Sequence, residues 1–455
     1  MRAERAVYGR GYWEKSEGTM AGFFKVLKGG WLSAGVAAVL AVGVCGCASP
    51  KAEAPDKTRA GVAVPTAEEA AFDEIAVLTE AMLLVRRYYV EEKPFKDVVY
   101  GAIQGMVGTL DPNSSFLPPQ PLAQLEEDTR GSFGGIGINV GVDNGGVRVI
   151  APIEDSPAFK AGIHAGDTIT AVDGKKLAGA TMDEAVKAMR GEKGTPVKVT
   201  VERPNGEKLD VALVRDDIKI ASVKGVRPLG DGIGYLRITQ FNEPAAENFA
   251  QALADLDKEK ISELIIDLRD NPGGLLESAV DVAGQVLPKG AEIVTVRGRD
   301  GVRPQQKFEA GPCGRRFTEI PIALLVNGGS ASASEVVAGA LKAHKRAVLV
   351  GEKTYGKASV QNVIKLALRP DCALRLTTGY YYTPDGKMIH GTGIEPDVRV
   401  QVSKAEWRQA QMRRLYDEMP GAALGGVKNM VPDAKDEQLE RAKQVLKGAR
   451  ILNKG

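Results

Sequence analysis

Apolar and polar positions change rhythm several times along the 455 residues. From Thr66 to about Glu92, Phe72, Ile75, Ala76, Leu78, Thr79, Met82, Leu83 and Val85 recur at the spacing of one helix face. A second helix is expected over Val98 to Leu110, after which DPNSSFLPP, with three prolines, breaks the pattern. Short stretches then take over between 131 and 215. FGGIGINV and GVRVIAPI read as strands, and SPAFKAG as a short helix capped by Ser156 with Pro157 at its first position. DTITAVDGKKL reads as two strands joined by an Asp-Gly turn, and VKVTVERPNGEKLDVALV as a hairpin around Asn205-Gly206. Between them TMDEAVKAMRG opens with Thr181 and carries Glu184 three residues on, a capping box. From 218 to 402 the strands GIGYLRITQF, ELIIDLRD, AEIVTVRG, PIALLVN and RAVLVG alternate with the helices EPAAENFAQALADLDKE, GGLLESAVDVAGQVL and ASEVVAGALKAH. That alternation predicts a layered α/β core. From Ser403 on, the chain reads mainly as charged helix.

The first segment carries a different message. Lys25 and Lys28 precede WLSAGVAAVLAVGVCGCA, an uncharged run from Trp31 to Ala48. Basic residues, an apolar stretch and then small residues have the make-up of an export signal. Met20 would serve as a start, leaving residues 1–19 as an upstream extension. The segment VCGC, Val44 to Cys47, resembles a bacterial lipobox, which implies cleavage before Cys47 and lipidation there. A plain cleaved signal, or a membrane span at the lower length limit, is the alternative. Residues 49–65, rich in Pro, Ala, Lys and Glu without an apolar period, read as a tether. The implied location is the periplasmic side of a bacterial envelope, with the chain lipid-anchored. In that compartment a bridge between Cys313 and Cys372 is chemically permitted, two free thiols being the alternative.

Composition narrows the chemistry. Sixty Lys and Arg against 58 Asp and Glu give a net charge of +2, which argues against a nucleic-acid partner. With three histidines (His164, His344 and His390), no H-E-x-x-H and no C-x-x-C, no metal site is expected, and no cofactor.

One stretch does suggest a ligand. Gly351 to Lys357 spells G-x-x-x-x-G-K, a phosphate-cradling loop without its final Ser or Thr. Such a loop must feed a helix, whose N-terminus stabilises the anion. Here Val360, Val363, Ile364, Leu366 and Leu368 follow, a strand pattern, and Ala358 replaces the magnesium-binding hydroxyl. The apolar strand with an Asp that could support magnesium, ELIIDLRD, precedes the loop by about 90 residues instead of following it. Nucleotide binding is therefore set aside.

Lys357 finds another use upstream. In LLVNGGSASASEVVAGALKAH a strand ends at Val326 and a helix begins near Ser332. Ser332 to Glu335 is S-x-x-E, which alone reads as a capping box with Ser330 and Ser334 as polar filler. The same geometry can project a serine hydroxyl into a cleft beside helix-end N–H groups. Such a serine needs a base. His344 lies more than three turns along the same helix and points elsewhere. A lysine made neutral by burial can serve, and Lys357, beside Gly356 at the mouth of an apolar strand, suits that role. In LRDNPGGLLESAV, Pro272-Gly273-Gly274 leads from a buried strand into a helix, and its N–H groups can face a developing oxyanion.

Two resemblances follow from these pieces. GGIGI, SPAFKAGIHAGDTITAVDG and TMDEAVKAMRG, in that order over 131–215, resemble a PDZ domain of the bacterial, permuted kind. This implies that Phe133, Gly134, Gly135, Ile136 and Gly137 offer a turn to a peptide carboxylate. The strand from Ile138 would pair with the peptide, and the 182–190 helix would wall the groove. NGGSASASE and GEKTYGKASVQ, 25 residues apart from Ser332 to Lys357, together with DLRDNPGG and LTTGYYYTPDGKMIHGTGIEPDV, resemble the C-terminal processing (tail-specific) serine peptidases over about 66–402. The resemblance implies an α/β fold with a layered serine peptidase core, an inserted β-rich PDZ domain and helical N- and C-terminal extensions. The parts would be a signal over 1–48, the tether, a helical part of the body over 66–130, the PDZ domain over 131–215, the peptidase core over 216–402 and a helical extension over 403–455. It implies Ser332 as nucleophile, Lys357 as general base, and Gln361 as the residue that orients the lysine. The oxyanion donors would be the N–H groups of Ala333 and of Gly273 or Gly274. Family members commonly read Gly-Lys-Gly-Thr-Val-Gln where this chain has GKASVQ, which leaves Lys357 and Gln361 in place. The implied substrates are proteins or peptides with accessible C-terminal tails. The implied assembly is a homo-oligomer built through the helical ends. The rival reading is a catalytically inactive PDZ lipoprotein that only binds peptides.

Overall fold

A computed structural model describes residues 67–452 apart from 144–145, 154, 165, 301–303, 313–315 and 419–434. The export signal, Cys47, the tether and Cys313 lie outside the described residues. Among those described, no helix is long and apolar enough to cross a membrane.

The centre is a six-stranded sheet in the order Val223–Pro228, Ile233–Ile238, Glu263–Asp267, Ile322–Val326, Ala347–Gly351, Val398–Arg399. The first pair is antiparallel and the rest are parallel. Strands in such a sheet are covered on both faces and read as continuous apolar runs, which is why IALLV and LIID carry no alternation in their sequence. The two faces nonetheless divide residue by residue. Leu236, Leu264, Ile266, Leu324 and Val326 face one core, shared with the helices Ala245–Lys258, Leu276–Gly284 and Ala333–Ala343. Tyr235, Ile265, Ala323, Leu325 and Val350 face the other, closed by Ala442 and Leu446 of the helix Glu437–Leu452.

Beside it stands a second, antiparallel sheet. Its spine is a fourteen-residue strand, Arg369–Tyr382, flanked by Ser115–Leu117, Glu292–Gly298 and Ser359–Leu366. The Gly351–Lys357 loop thus feeds a strand, as its sequence predicted. The long strand was not legible in LRLTTGYYYT, and neither was the helix Pro119–Arg130. There the Pro118-Pro119 pair reads as a breaker, whereas Pro119 occupies the first turn, where its missing N–H has no cost. The second helix begins at Phe95 and ends at Gly108, slightly ahead of expectation.

Residues 138–214 make a separate small sheet, ordered Ile138–Asp143, Gly146–Pro152, Thr168–Val172, Pro196–Glu202, Lys208–Val214. Val147, Val149, Ile169, Val199 and Val201 pack against Ala185 and Met189 of the helix Met182–Met189. Both predicted caps form: Ser156 Oγ accepts from Phe159 N–H at 3.2 Å, and Thr181 exchanges bonds with Glu184. This unit joins the rest through a two-stranded ribbon, Ser132–Gly135 against Asp216–Lys219.

Candidate active site

Ser332 sits where the Ile322–Val326 strand, after a six-residue loop, turns into the Ala333–Ala343 helix, at φ 54° and ψ −115°. A non-glycine residue rarely adopts positive φ, and this one is held there by its surroundings. Ser330 Oγ donates to Leu268 O at 2.8 Å and accepts from Asn327 N–H at 3.0 Å. Ala331 N–H and Ser334 Oγ both donate to Asn271 O, at 3.0 and 2.8 Å. The neighbouring serines are therefore fasteners that tie the serine loop to Leu268 and Asn271, not filler. The small residues are required by contact distance: a Cβ at Gly273 would lie 2.8 Å from Ser332 Cβ and 2.9 Å from Ala333 N.

Lys357 arrives from the other side, on the loop before the Ser359–Leu366 strand. Glu335, fully buried in the first turn of the serine helix, brings the two together. One of its carboxylate oxygens accepts from Ser332 N–H at 3.0 Å and Lys357 N–H at 2.8 Å, so these two backbone nitrogens lie within about 6 Å of each other. The other oxygen accepts from Gly356 N–H at 2.7 Å and Thr354 Oγ1 at 2.5 Å. The capping box expected at Ser332 is thus half of a larger clamp. Tyr381 closes it: its hydroxyl lies 2.7 Å from Lys357 O and 3.0 Å from Ser332 O. Sequence reasoning assigned neither role; S-x-x-E hinted at Glu335, and Tyr381 lay unremarked inside the closing motif.

Ser332, Ala333, Lys357, Gln361, Gly273 and Gly274 line one cleft of about 1110 Å³. Burial pushes the Lys357 amine below its ordinary pKa, and the positive charge of Arg375 lowers it further. Both effects disfavour an ammonium ion. His344 is indeed turned away, its Nε2 2.7 Å from Glu292 O. Ala358 is fully buried in the core, so its methyl is accommodated.

Three of the expected positions have definite surroundings in the structure. Gln361 does not bond to Lys357: its Nε2 donates to Thr377 Oγ1 at 3.3 Å, and that hydroxyl donates to Asp111 Oδ1 at 3.1 Å. The Gly273 N–H is already held by Asn271 Oδ1 at 2.9 Å, which leaves the Gly274 amide as the uncommitted one of the pair among the described residues. Cys372 is a buried thiol with its Sγ 3.1 Å from Tyr100 Oη. Its expected partner, Cys313, lies outside the described residues.

The Phe133–Ile138 segment is only partly a turn. Phe133, Gly134 and Gly135 belong to the connecting ribbon, Ile136 is buried in the small domain, Gly137 takes φ 76°, and Ile138 begins a strand. The carbonyls of Gly134, Ile136 and Gly137 are all consumed by bonds within the small domain and its ribbon. The Ile138–Asp143 strand ends its sheet, so its outer edge is unpaired among the described residues.

Family models agree with both halves. One described as peptidase family S41 matches residues 232–400, and one described as a PDZ domain matches 134–214. The carboxy-terminal-processing protease of Bartonella bacilliformis is 41% identical over 397 residues, 84% of this chain and 90% of its own length. The carboxy-terminal processing protease CtpB of Bacillus subtilis is 34% identical over 330 residues, 71% of this chain and 67% of its own. Among solved structures, a photosystem II D1 C-terminal processing protease matches 72% of this chain and 93% of its own at 31% identity, with a TM-score of 0.42.

Proposed function

The chain belongs to the carboxy-terminal processing proteases of peptidase family S41, and on that premise we propose that it is a serine endopeptidase working through a Ser332–Lys357 dyad. The observation that carries the reading is the shared clamp. Glu335 and Tyr381 hold the backbones of both residues at once, at the head of one cleft, with the lysine amine partly desolvated.

The neutral Lys357 amine takes the Ser332 Oγ proton as the oxygen attacks a peptide carbonyl. The tetrahedral oxyanion is met by backbone N–H groups of Ala333 and of the Gly273–Gly274 turn, at a helix start where the amide dipoles already point outward. The Lys357 ammonium then gives its proton to the leaving nitrogen, the C–N bond breaks, and an ester on Ser332 remains. Lys357 next takes a proton from water, the hydroxide adds to the ester carbonyl, and collapse returns the proton to Ser332 Oγ with release of the acid. Gln361 lines the same cleft and is held by Thr377.

The PDZ domain captures the substrate's C-terminal tail on the unpaired Ile138–Asp143 edge, with the terminal carboxylate at the Gly137 turn. Export, lipidation at Cys47 and assembly into an oligomer belong to the same proposal and rest on the sequence alone.

The test is cleavage of a peptide carrying an apolar free C-terminal tail. Wild type should cut it, and both Ser332→Ala and Lys357→Ala should reduce the rate by at least a thousandfold. Tail binding with no cutting by wild type would mean an inactive binding protein instead.

A further inference from the structure

The cleft contains a charge that the proposed chemistry does not use. Arg375 lies on the long Arg369–Tyr382 strand, opposite Val363 on one side and Ser115 on the other, and lines the cleft with Lys357 and Gln361. Residues two apart on a strand share a face, so Arg375 projects on the same side as Thr377, which holds Gln361. Its Nε is buried without a hydrogen-bond partner, and its guanidinium makes no hydrogen bond or ion pair among the described residues. The Oγ of Ser359, on the neighbouring strand and also lining the cleft, is likewise buried and unpartnered. Native proteins rarely leave such groups unmatched. Of the acids lining the cleft, Glu126 pairs with Lys365 at 2.7 Å and Asp128 accepts from Gln124, and neither Glu243 nor Glu277 forms an ion pair with Arg375 among the described residues.

An arginine fork with a buried, unanswered N–H, beside a catalytic cleft, is complementary to a planar carboxylate. We propose that Arg375 is a specificity residue, forming a subsite that takes an Asp or Glu side chain of the substrate close to the scissile bond. This rests on the dyad reading above and goes beyond it by naming the substrate class. The subsite is separate from the tail carboxylate, which the PDZ domain binds. The ion pair would also neutralise the guanidinium beside Lys357, so an acidic substrate modifies the environment of the base as it binds.

The experiment uses the full-length chain and peptides sharing one apolar free tail. Glu, Gln and Lys are placed in turn at each position flanking the mapped cut. The quantity read is the ratio of kcat/KM for Glu over Gln on the same enzyme, in which any general effect of Arg375 on Lys357 cancels. Wild type should prefer Glu about tenfold or more at one position, in keeping with a charge-assisted pair. Arg375→Gln should bring that ratio near one, and Arg375→Glu should transfer the preference to Lys. Binding of the Glu and Gln peptides to Ser332→Ala, by calorimetry, should show the same Arg375 dependence without any turnover. A thermal melt confirms that each variant is folded. No Glu preference at any position, or one that survives in Arg375→Gln, overturns the proposal. In a parallel set with amidated tails, an Arg375 dependence that follows the terminal carboxylate and not the Glu side chain also overturns it. Failure of wild type to cut any peptide would strike the dyad reading itself, a separate result.

Discussion

Glu335→Gln is the sharpest perturbation of the site, because it changes one atom of a fully buried carboxylate and keeps the shape. All four bonds to Glu335 come from donors. A glutamine replaces one acceptor oxygen by an NH2 group, which must face one of the two donor pairs. Facing Ser332 and Lys357 would oppose two N–H donors. Facing Gly356 and Thr354 is less costly, since the threonine hydroxyl can turn to accept, although Thr354 Oγ1 already accepts from Ile394 N–H at 2.7 Å. The Gly356 N–H is then buried without a partner, at about 1–3 kcal/mol, and the remaining bonds lose their charge assistance. A total near 3 kcal/mol follows, equivalent to a shift of roughly 1 M or more in a urea midpoint. Any relaxation moves the Gly356–Lys357 backbone relative to Ser332, and a displacement near 1 Å is worth about a hundredfold in rate. Urea denaturation and kcat/KM on the same preparations test both figures. Glu335→Gln within 0.5 kcal/mol of wild type (roughly the scatter of a neutral surface change) and with unaltered kcat/KM would refute the clamp.

The other predictions concern the base, the glycine turn and the buried ion network. A base lowered by burial and by Arg375 is active when deprotonated, so kcat/KM should rise with pH through a single ionisation. Arg375→Gln, by removing a positive neighbour, should move that limb to higher pH; a limb that stays or moves down in a pH–rate profile would contradict the assignment. Lys357→Arg should be inactive at every accessible pH, because the guanidinium does not give up its proton. Gly273→Ala should lose at least a hundredfold in kcat/KM: φ is 106°, and the new methyl would meet Ala331 O, Ser332 Cβ and Ala333 N, all within 3.0 Å. Arg269 is fully buried between Asp267 and Asp436, so Arg269→Met should cost about 3 kcal/mol in denaturant by leaving Asp267 only Arg414 at 3.7 Å and the Tyr235 hydroxyl as side-chain partners. Burial pushes the Asp267 carboxyl up, but Arg269, its hydrogen bonds and the charge of Arg414 outweigh this and hold it at about 2. Its contribution, about 2–3 kcal/mol in full, is therefore complete above the ordinary carboxylate range and lost as pH falls from about 4 through 2, and urea midpoints at pH 5 and pH 2.5 should differ by about 1.5 kcal/mol of it.

Local signals carried much of the fold because each has a short-range cause. The Thr181–Glu184 and Ser156 caps, the strand following Lys357 and the helix following Ser332 are decided within a few residues of the positions that announce them. Where one pattern has two physical meanings, sequence reading failed. Pro118-Pro119 stops one element and starts the next, and the mixed polar face of Arg369–Tyr382 hides a strand whose neighbours are the hairpin strand just before it and two distant segments.

By itself the sequence determined which residues could do chemistry: a serine at a strand-to-helix turn, a lysine at the mouth of an apolar strand and a glycine pair behind a buried strand. These are properties of short segments, and their spacing in the chain was enough to suggest a common purpose. Only the tertiary structure decided that Glu335 ties residues 332, 356 and 357 to one carboxylate, that Tyr381 bridges the same two loops, and that Arg375 faces the cleft unanswered. Those relations depend on loops and strands from different parts of the chain coming together at one cleft. A contact between segments 20 to 50 residues apart leaves no periodicity in either one.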